Sequence, residues 1–176
     1  LKIYVPRDAA ALAVDAEKVA EAVMAEAKIR EIEVELVRNG SRGMLWLEPM
    51  VEIERDGVRH AFGPVTPHDV RALFDADWGS HALALGPTEE IEWMKRQTRL
   101  TFARVGVIDP LSLDAYEAHG GLKGLRRALE MTGAAMIDEM KESGLRGRGG
   151  AGFPTGIKWD TVRLAEANQK YIVANA

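Results

Sequence analysis

The sequence predicts an α/β protein in two parts, on three observations. Short β-prone runs recur through the first third of the chain. An amphipathic stretch with apolar residues at three- and four-residue steps separates the first two of those runs. The second half reads as helices interrupted by one glycine-dense segment. At 176 residues the chain can hold one ordinary domain or two small ones.

Residues 2–5 alternate, and 32–37 alternate apolar residues with Glu, so both read as strands. Between them Val14, Val19, Ala22, Val23 and Ala27 mark one face of a helix over 13–28, which Asp15 is placed to cap or open. Residues 39–43 form a turn, and 44–47 read as a further apolar strand ended by Glu48-Pro49. The runs 51–54 and 58–62 flank Asp56-Gly57, a strong hairpin signal. Thr66-Pro67 then opens a helix over 67–75. A parallel βαβ start followed by a hairpin and a helix is the thioredoxin-like arrangement, expected over 1–85. Thioredoxin-type redox chemistry needs cysteines and the chain has none, so this part reads as a docking or structural module.

Residues 86–99 read as a linker carrying a short helix near 89–97. A second domain is expected over 100–176. It opens with a helix over 112–119, stopped by Gly120-Gly121. The next, over 122–131, places Leu122, Leu125 and Leu129 on one face. Thr132 caps a third, whose stripe is Met136, Ile137 and Met140. Beyond the glycine segment the pattern gives a helix over 161–168 and a buried strand over 170–174.

Composition narrows the function. A net charge of -4 argues against nucleic acid, which asks for a basic face. Without cysteine the chain offers no disulfide, thiol nucleophile or thiolate ligand for an iron–sulfur cluster. His60, His68, His81 and His119 lack metal-ligand spacing, so no metal site is expected. No run of about 18 apolar residues is present, and the N-terminus lacks the apolar core of a signal peptide, so no membrane insertion is expected and a cytoplasmic location is. The absent initiator Met points to a trimmed chain.

The informative segment runs from Ser143 to Trp159 and holds six glycines between positions 144 and 156. Glycines at that density let backbone approach a ligand closely and let successive N–H groups face an anion. A helix after the loop adds a partial positive charge suited to phosphate. Arg146, Arg148 and Lys158 make the segment locally basic, and Phe153 offers a flat face for a ring. A P-loop would end in Gly-Lys-Ser/Thr, which is missing. Gly147 to Gly152 fits GxGxxG, but it follows a helix where a dinucleotide fold needs a strand. Arg148-Gly149-Gly150 occurs once, whereas RNA-binding RGG tracts repeat. The residues alone leave two readings open, a phosphate-holding loop and a glycine-rich connection without a ligand.

The segment SGLRGRGGAGFPTGIKW closely resembles the signature of the Complex I flavoprotein subunit family, the 51 kDa or F-type subunits, in which it wraps FMN and NADH. Upstream, Ile108-Asp109-Pro110 with Ser112, Tyr116 and Gly120-Gly121 resembles the entry segment of soluble relatives, the NAD-reducing hydrogenases and NAD-dependent formate dehydrogenases. Their flavoprotein subunits often carry a thioredoxin-like N-terminal domain. The opening residues 2–8 and the stretch 37–43 look most like the formate dehydrogenase beta subunit.

The resemblance covers nearly the whole chain and implies an α/β fold with a thioredoxin-like domain followed by the start of the FMN-binding domain. It implies an NADH/NAD+-binding FMN diaphorase subunit that passes electrons between iron–sulfur clusters, FMN and NAD. A hydrogenase or quinone-reductase flavoprotein and a non-catalytic docking fragment are the alternatives. The backbone of Gly147, Gly149, Gly150 and Gly152 would lie along the cofactors, with Arg148 lining the FMN site. Phe153 would stack near the nicotinamide, Lys158 would reach the FMN phosphate or ribityl chain, and Asn175 would contact FMN. No catalytic acid or base is implied. The implied partners are a gamma-type iron–sulfur subunit and a molybdenum or tungsten alpha subunit. The family's acidic residues after Ala176 and its cysteines for a 4Fe-4S cluster are missing, so the chain reads as the N-terminal portion of a longer protein, inactive alone.

Overall fold

A computed structural model describes residues 1–173. The chain divides into two compact units, Leu1–Gly121 and Leu122–Ala176.

The first unit is built on a mixed five-stranded sheet of order β2-β1-β3-β4-β5. Its strands are β1 (Lys2–Tyr4), β2 (Glu35–Val37), β3 (Val51–Arg55), β4 (Val58–Phe62) and β5 (Ala84–Pro87). β1 and β2 run parallel, and the other pairings are antiparallel. The β1–β2 crossover contains α1 (Ala9–Leu12) and α2 (Ala16–Ile29), and α3 (Val70–Asp75) packs beside α2. This is the thioredoxin-like order the sequence implied, α/β with its core on the helical face. That core joins Ile3, Val5, Val51, Ile53 and Phe62 of the sheet side to Val19, Val23, Ala27, Val70 and Leu73 of the helices. Phe62, Phe74 and Trp78 add edge-to-face contacts at 5.5 and 5.3 Å.

Several elements differ from the pattern. The expected helix over 13–28 forms from Ala16 onward as α2, and the separate short α1 precedes it, because Asp15 takes a left-handed conformation with φ 69° and its side chain makes no capping bond. Asp15 pairs with Lys18 instead, and Val14 faces solvent. The working cap is Asp8, whose Oδ1 accepts the Ala11 N–H while Oδ2 accepts that of Ser41. Residues 44–47 are not a strand. Met44 inserts beside Met50, Ala61 and Met94 on the sheet's second face, and Leu45–Leu47 close a 3₁₀ turn. The stretch 86–99 is not a free linker either. β5 pairs with β4, a 3₁₀ turn covers Thr88–Glu90, and α4 (Glu92–Lys95) buries Met94. The first unit continues through α5 (Leu113–Ala118), capped by Ser112 at 3.1 Å, to Gly121.

The second unit holds α6 (Lys123–Leu129), α7 (Gly133–Glu142) and α8 (Thr155–Leu164). Thr132 caps α7 as its position suggested, accepting the Ala135 N–H at 3.2 Å. Ile137 is buried, whereas Leu125 and Leu129 of the expected α6 stripe are exposed. The last helix starts at Thr155, six residues before the expected 161, because Pro154 with φ -60° presets the helical entry. No strand forms over 170–173. Tyr171, Ile172 and Val173 stand open to solvent, and the described part of this unit holds no strand to pair with them. Ala174 lies outside the described residues. Among the described residues no helix is long and apolar enough to cross a membrane.

Candidate functional site

In the second unit the glycine segment is a hairpin-like loop between α7 and α8. Gly144 (φ 64°) ends α7, and the Ser143 Oγ accepts the Leu145 N–H. The loop closes at its base through Gly147 N–H to Phe153 O at 2.9 Å and Thr155 N–H to Leu145 O at 2.9 Å. Gly152 (φ 53°) donates its N–H to Gly149 O, which curls the tip. Among the described residues nothing takes up the amides of Arg148, Gly149, Gly150 and Ala151. A Cβ built at Gly149 or Gly150 would meet nothing within 4 Å, so this rim is open backbone.

Seven of the eight residues singled out by sequence lie on this loop or on the helix after it. Gly147, Arg148, Gly149, Gly150, Gly152 and Phe153 share the loop, and Lys158 lies in the first turns of α8. Phe153 is half exposed. The Arg148 guanidinium folds back to donate to Arg146 O at 2.8 Å, so its resting contact is the loop's own backbone. Asn175 lies outside the described residues. Gly156 belongs to helix packing, since a Cβ there would stand 2.6 Å from Lys141 Cγ.

Charge separates the loop from its surroundings. Lys141 pairs with Asp160 at 2.7 Å, Arg163 with Asp160 at 3.0 Å and Arg127 with Glu139 at 2.8 Å. Lys141 first, then Arg163, hold the Asp160 carboxyl below its ordinary range. Arg146, Arg148 and Lys158 meet no carboxylate among the described residues. Arg146 and Arg148 belong to the loop that leads into α8 and Lys158 to its first turn, which has no acidic residue. Like charges at a helix N-terminus with free amides nearby favour an anion between them.

The upstream segment is explained by packing. Asp109 Oδ1 accepts the Leu111 N–H, Ser112 caps α5, and the Arg104 guanidinium lies over the Tyr116 ring at 4.9 Å. A Cβ at Gly121 would sit 2.3 Å from the same ring, so tyrosine and glycine fit as a pair.

Sequence reasoning missed a buried charge cluster on the sheet's second face. Glu52 binds Arg42 at 2.9 Å, with Asn39 Nδ2 at 3.2 Å and Arg59 at 3.5 Å. Alternation does not reveal it, because a glutamate between Val51 and Ile53 has the pattern of a strand's solvent side. Among the described residues no group of three metal-ligating side chains is placed to hold an ion.

Residues 140–176 match a protein family described as the Nuo51 FMN-binding domain of the Complex I 51 kDa subunit. The chain is 54% identical over 82 residues to the NADP-reducing hydrogenase subunit HndC of Solidesulfovibrio fructosivorans, covering 47% of this chain and 17% of that protein. It is 52% identical over 65 residues to the F-type NADH-quinone oxidoreductase subunit of Streptomyces coelicolor, covering 37% of this chain and 14% of that protein. The chain thus spans less than a fifth of the length of these relatives. A thioredoxin-like 2Fe-2S ferredoxin from Aquifex aeolicus aligns with a TM-score of 0.42 and 18% identity, over 52% of this chain and 94% of that one. Over residues 140–176 the chain is similar to the FMN-binding domain of the Complex I 51 kDa-type flavoproteins.

Proposed function

We propose that the chain is the N-terminal portion of an NADH/NAD+-binding FMN flavoprotein subunit, a diaphorase that exchanges electrons between NAD(H), FMN and iron–sulfur clusters. The observation that carries the reading is electrostatic. Arg146, Arg148 and a run of free amides lie in the loop that leads into α8, Lys158 lies in its first turn, and no carboxylate pairs with these three cations among the described residues. A flavin phosphate supplies the missing charge.

The residues fit that group. Open backbone at Gly149 and Gly150 lets a phosphate or ribityl chain approach without meeting a side chain. Lys158 and Arg148 bind the phosphate, with Arg148 leaving its bond to Arg146 O. Phe153, whose ring is half exposed, would face the nicotinamide. When bound, FMN supplies hydride exchange with the nicotinamide and division of the electron pair into single steps. The chain's residues orient the rings and balance phosphate charge, and none moves a proton.

Two finer readings follow. The opening residues favour the beta subunit of a soluble NAD-dependent formate dehydrogenase, with a gamma-type iron–sulfur subunit and a molybdenum or tungsten alpha subunit as partners. The hydrogenase relative favours the flavoprotein of an NAD(P)-linked hydrogenase. In either, a 4Fe-4S cluster belongs to sequence beyond these residues, because this chain has no cysteine.

The test is a titration of the 176-residue chain with FMN and with riboflavin, read by flavin fluorescence. The expected result is FMN binding at least about tenfold tighter than riboflavin, the worth of charge-assisted phosphate bonds. Equal or absent binding of the two overturns the phosphate-site reading for this chain.

A further inference from the structure

We infer that Arg146 is a positioning residue that clamps the glycine loop into its anion-accepting shape. This inference rests on the flavin-phosphate reading for its functional consequence, though not for its geometry.

Arg146 sits at the first strand-like step of the loop and forms an isolated antiparallel bridge with Pro154. Its Nε donates to Gly152 O at 2.6 Å, reaching across the loop to the residue that turns its tip. Its own carbonyl accepts from Arg148 Nη1 at 2.8 Å. One residue therefore fixes the returning limb with its side chain and parks the outward arginine with its backbone. Between these two bonds lie the free amides of residues 148–151.

The loop needs such a clamp. Glycine chains lose more conformational freedom on ordering than other residues, and the amides of Gly149 and Gly150 have no partner among the described residues to hold them. An arginine fits the task better than a lysine, because its rigid fork gives Nε to one carbonyl and leaves other N–H groups for an anion. The residue gains its role from position as well as charge, and Arg148 cannot replace it.

The test compares wild type, Arg146→Ala and Arg146→Lys by amide hydrogen exchange without ligand and by FMN and riboflavin titration. In Arg146→Ala the Gly147 and Gly152 amides should exchange about tenfold faster while α7 and α8 stay protected. FMN affinity should fall about tenfold with riboflavin affinity unchanged, and Arg146→Lys should recover part of both. Unchanged exchange at Gly147 and Gly152 overturns the proposal, as does a rise spread evenly over α7 and α8. If wild type shows no preference for FMN, the flavin reading fails, and the exchange data still decide whether Arg146 clamps the loop.

Discussion

Gly156 of α8 lies directly against Lys141 of α7. A Cβ at position 156 would stand 2.6 Å from Lys141 Cγ and 2.9 Å from its backbone nitrogen. The same lysine then reaches Asp160 one turn further on, so contact and ion pair share one residue.

Gly156→Ala should push the two helices apart. The backbone nitrogen cannot give way as a side chain would, so overpacking should cost about 1–3 kcal/mol. Thermal unfolding read from Trp159 fluorescence measures it, with Gly124→Ala, which meets open space, as the harmless comparison.

The Arg42–Glu52 pair is buried at both ends, with side-chain exposures of 3% and 1%. Arg42→Met alone should leave the buried carboxylate only Asn39 and the more distant Arg59, and destabilise the first unit by about 3 kcal/mol. The double change Arg42→Met with Glu52→Leu should recover much of that loss in a denaturant titration, since an apolar pair leaves no buried charge.

Glu48 gives a pH test. Burial, the main cause, raises its carboxyl above the ordinary glutamate value, against hydrogen bonds from Ser41 and from the Met50 N–H. A raised carboxyl binds its proton more tightly in the folded state. Its contribution is therefore full below the unfolded value and is lost as pH rises through the folded one. Stability of wild type should fall across that window just above the ordinary glutamate range, and Glu48→Gln should flatten this part of the profile.

Lys158→Ala should leave melting unchanged, since no carboxylate among the described residues pairs with it. It should weaken FMN about tenfold and leave riboflavin untouched. Equal weakening of both ligands would assign Lys158 to the ring or ribityl chain.

The sequence made some of this legible and hid the rest for physical reasons. The parallel β1–β2 pair and the β3–β4 hairpin followed from alternation and from Asp56-Gly57, because those signals are local. The glycine loop and the Thr132 cap were equally local. What escaped was tertiary. The apolar run at 44–47 bends because Met44 has a pocket to fill beside Met94, fifty residues away in sequence. β5 is too short for a visible alternation and exists through its pairing with β4. Arg146 and Arg148 look interchangeable in the motif, and their hydrogen bonds give them separate tasks.

The tryptophans are divided between the units in a useful way. Trp46 and Trp93 meet edge to face at 5.4 Å on the surface of the first unit, and Trp78 is buried in its core. Trp159, next to Lys158, is the second unit's sole indole. A chain in which Trp46, Trp78 and Trp93 are replaced by phenylalanine would thus emit only from the edge of the proposed flavin loop. Its fluorescence would become an optical gauge of that loop, read without a label.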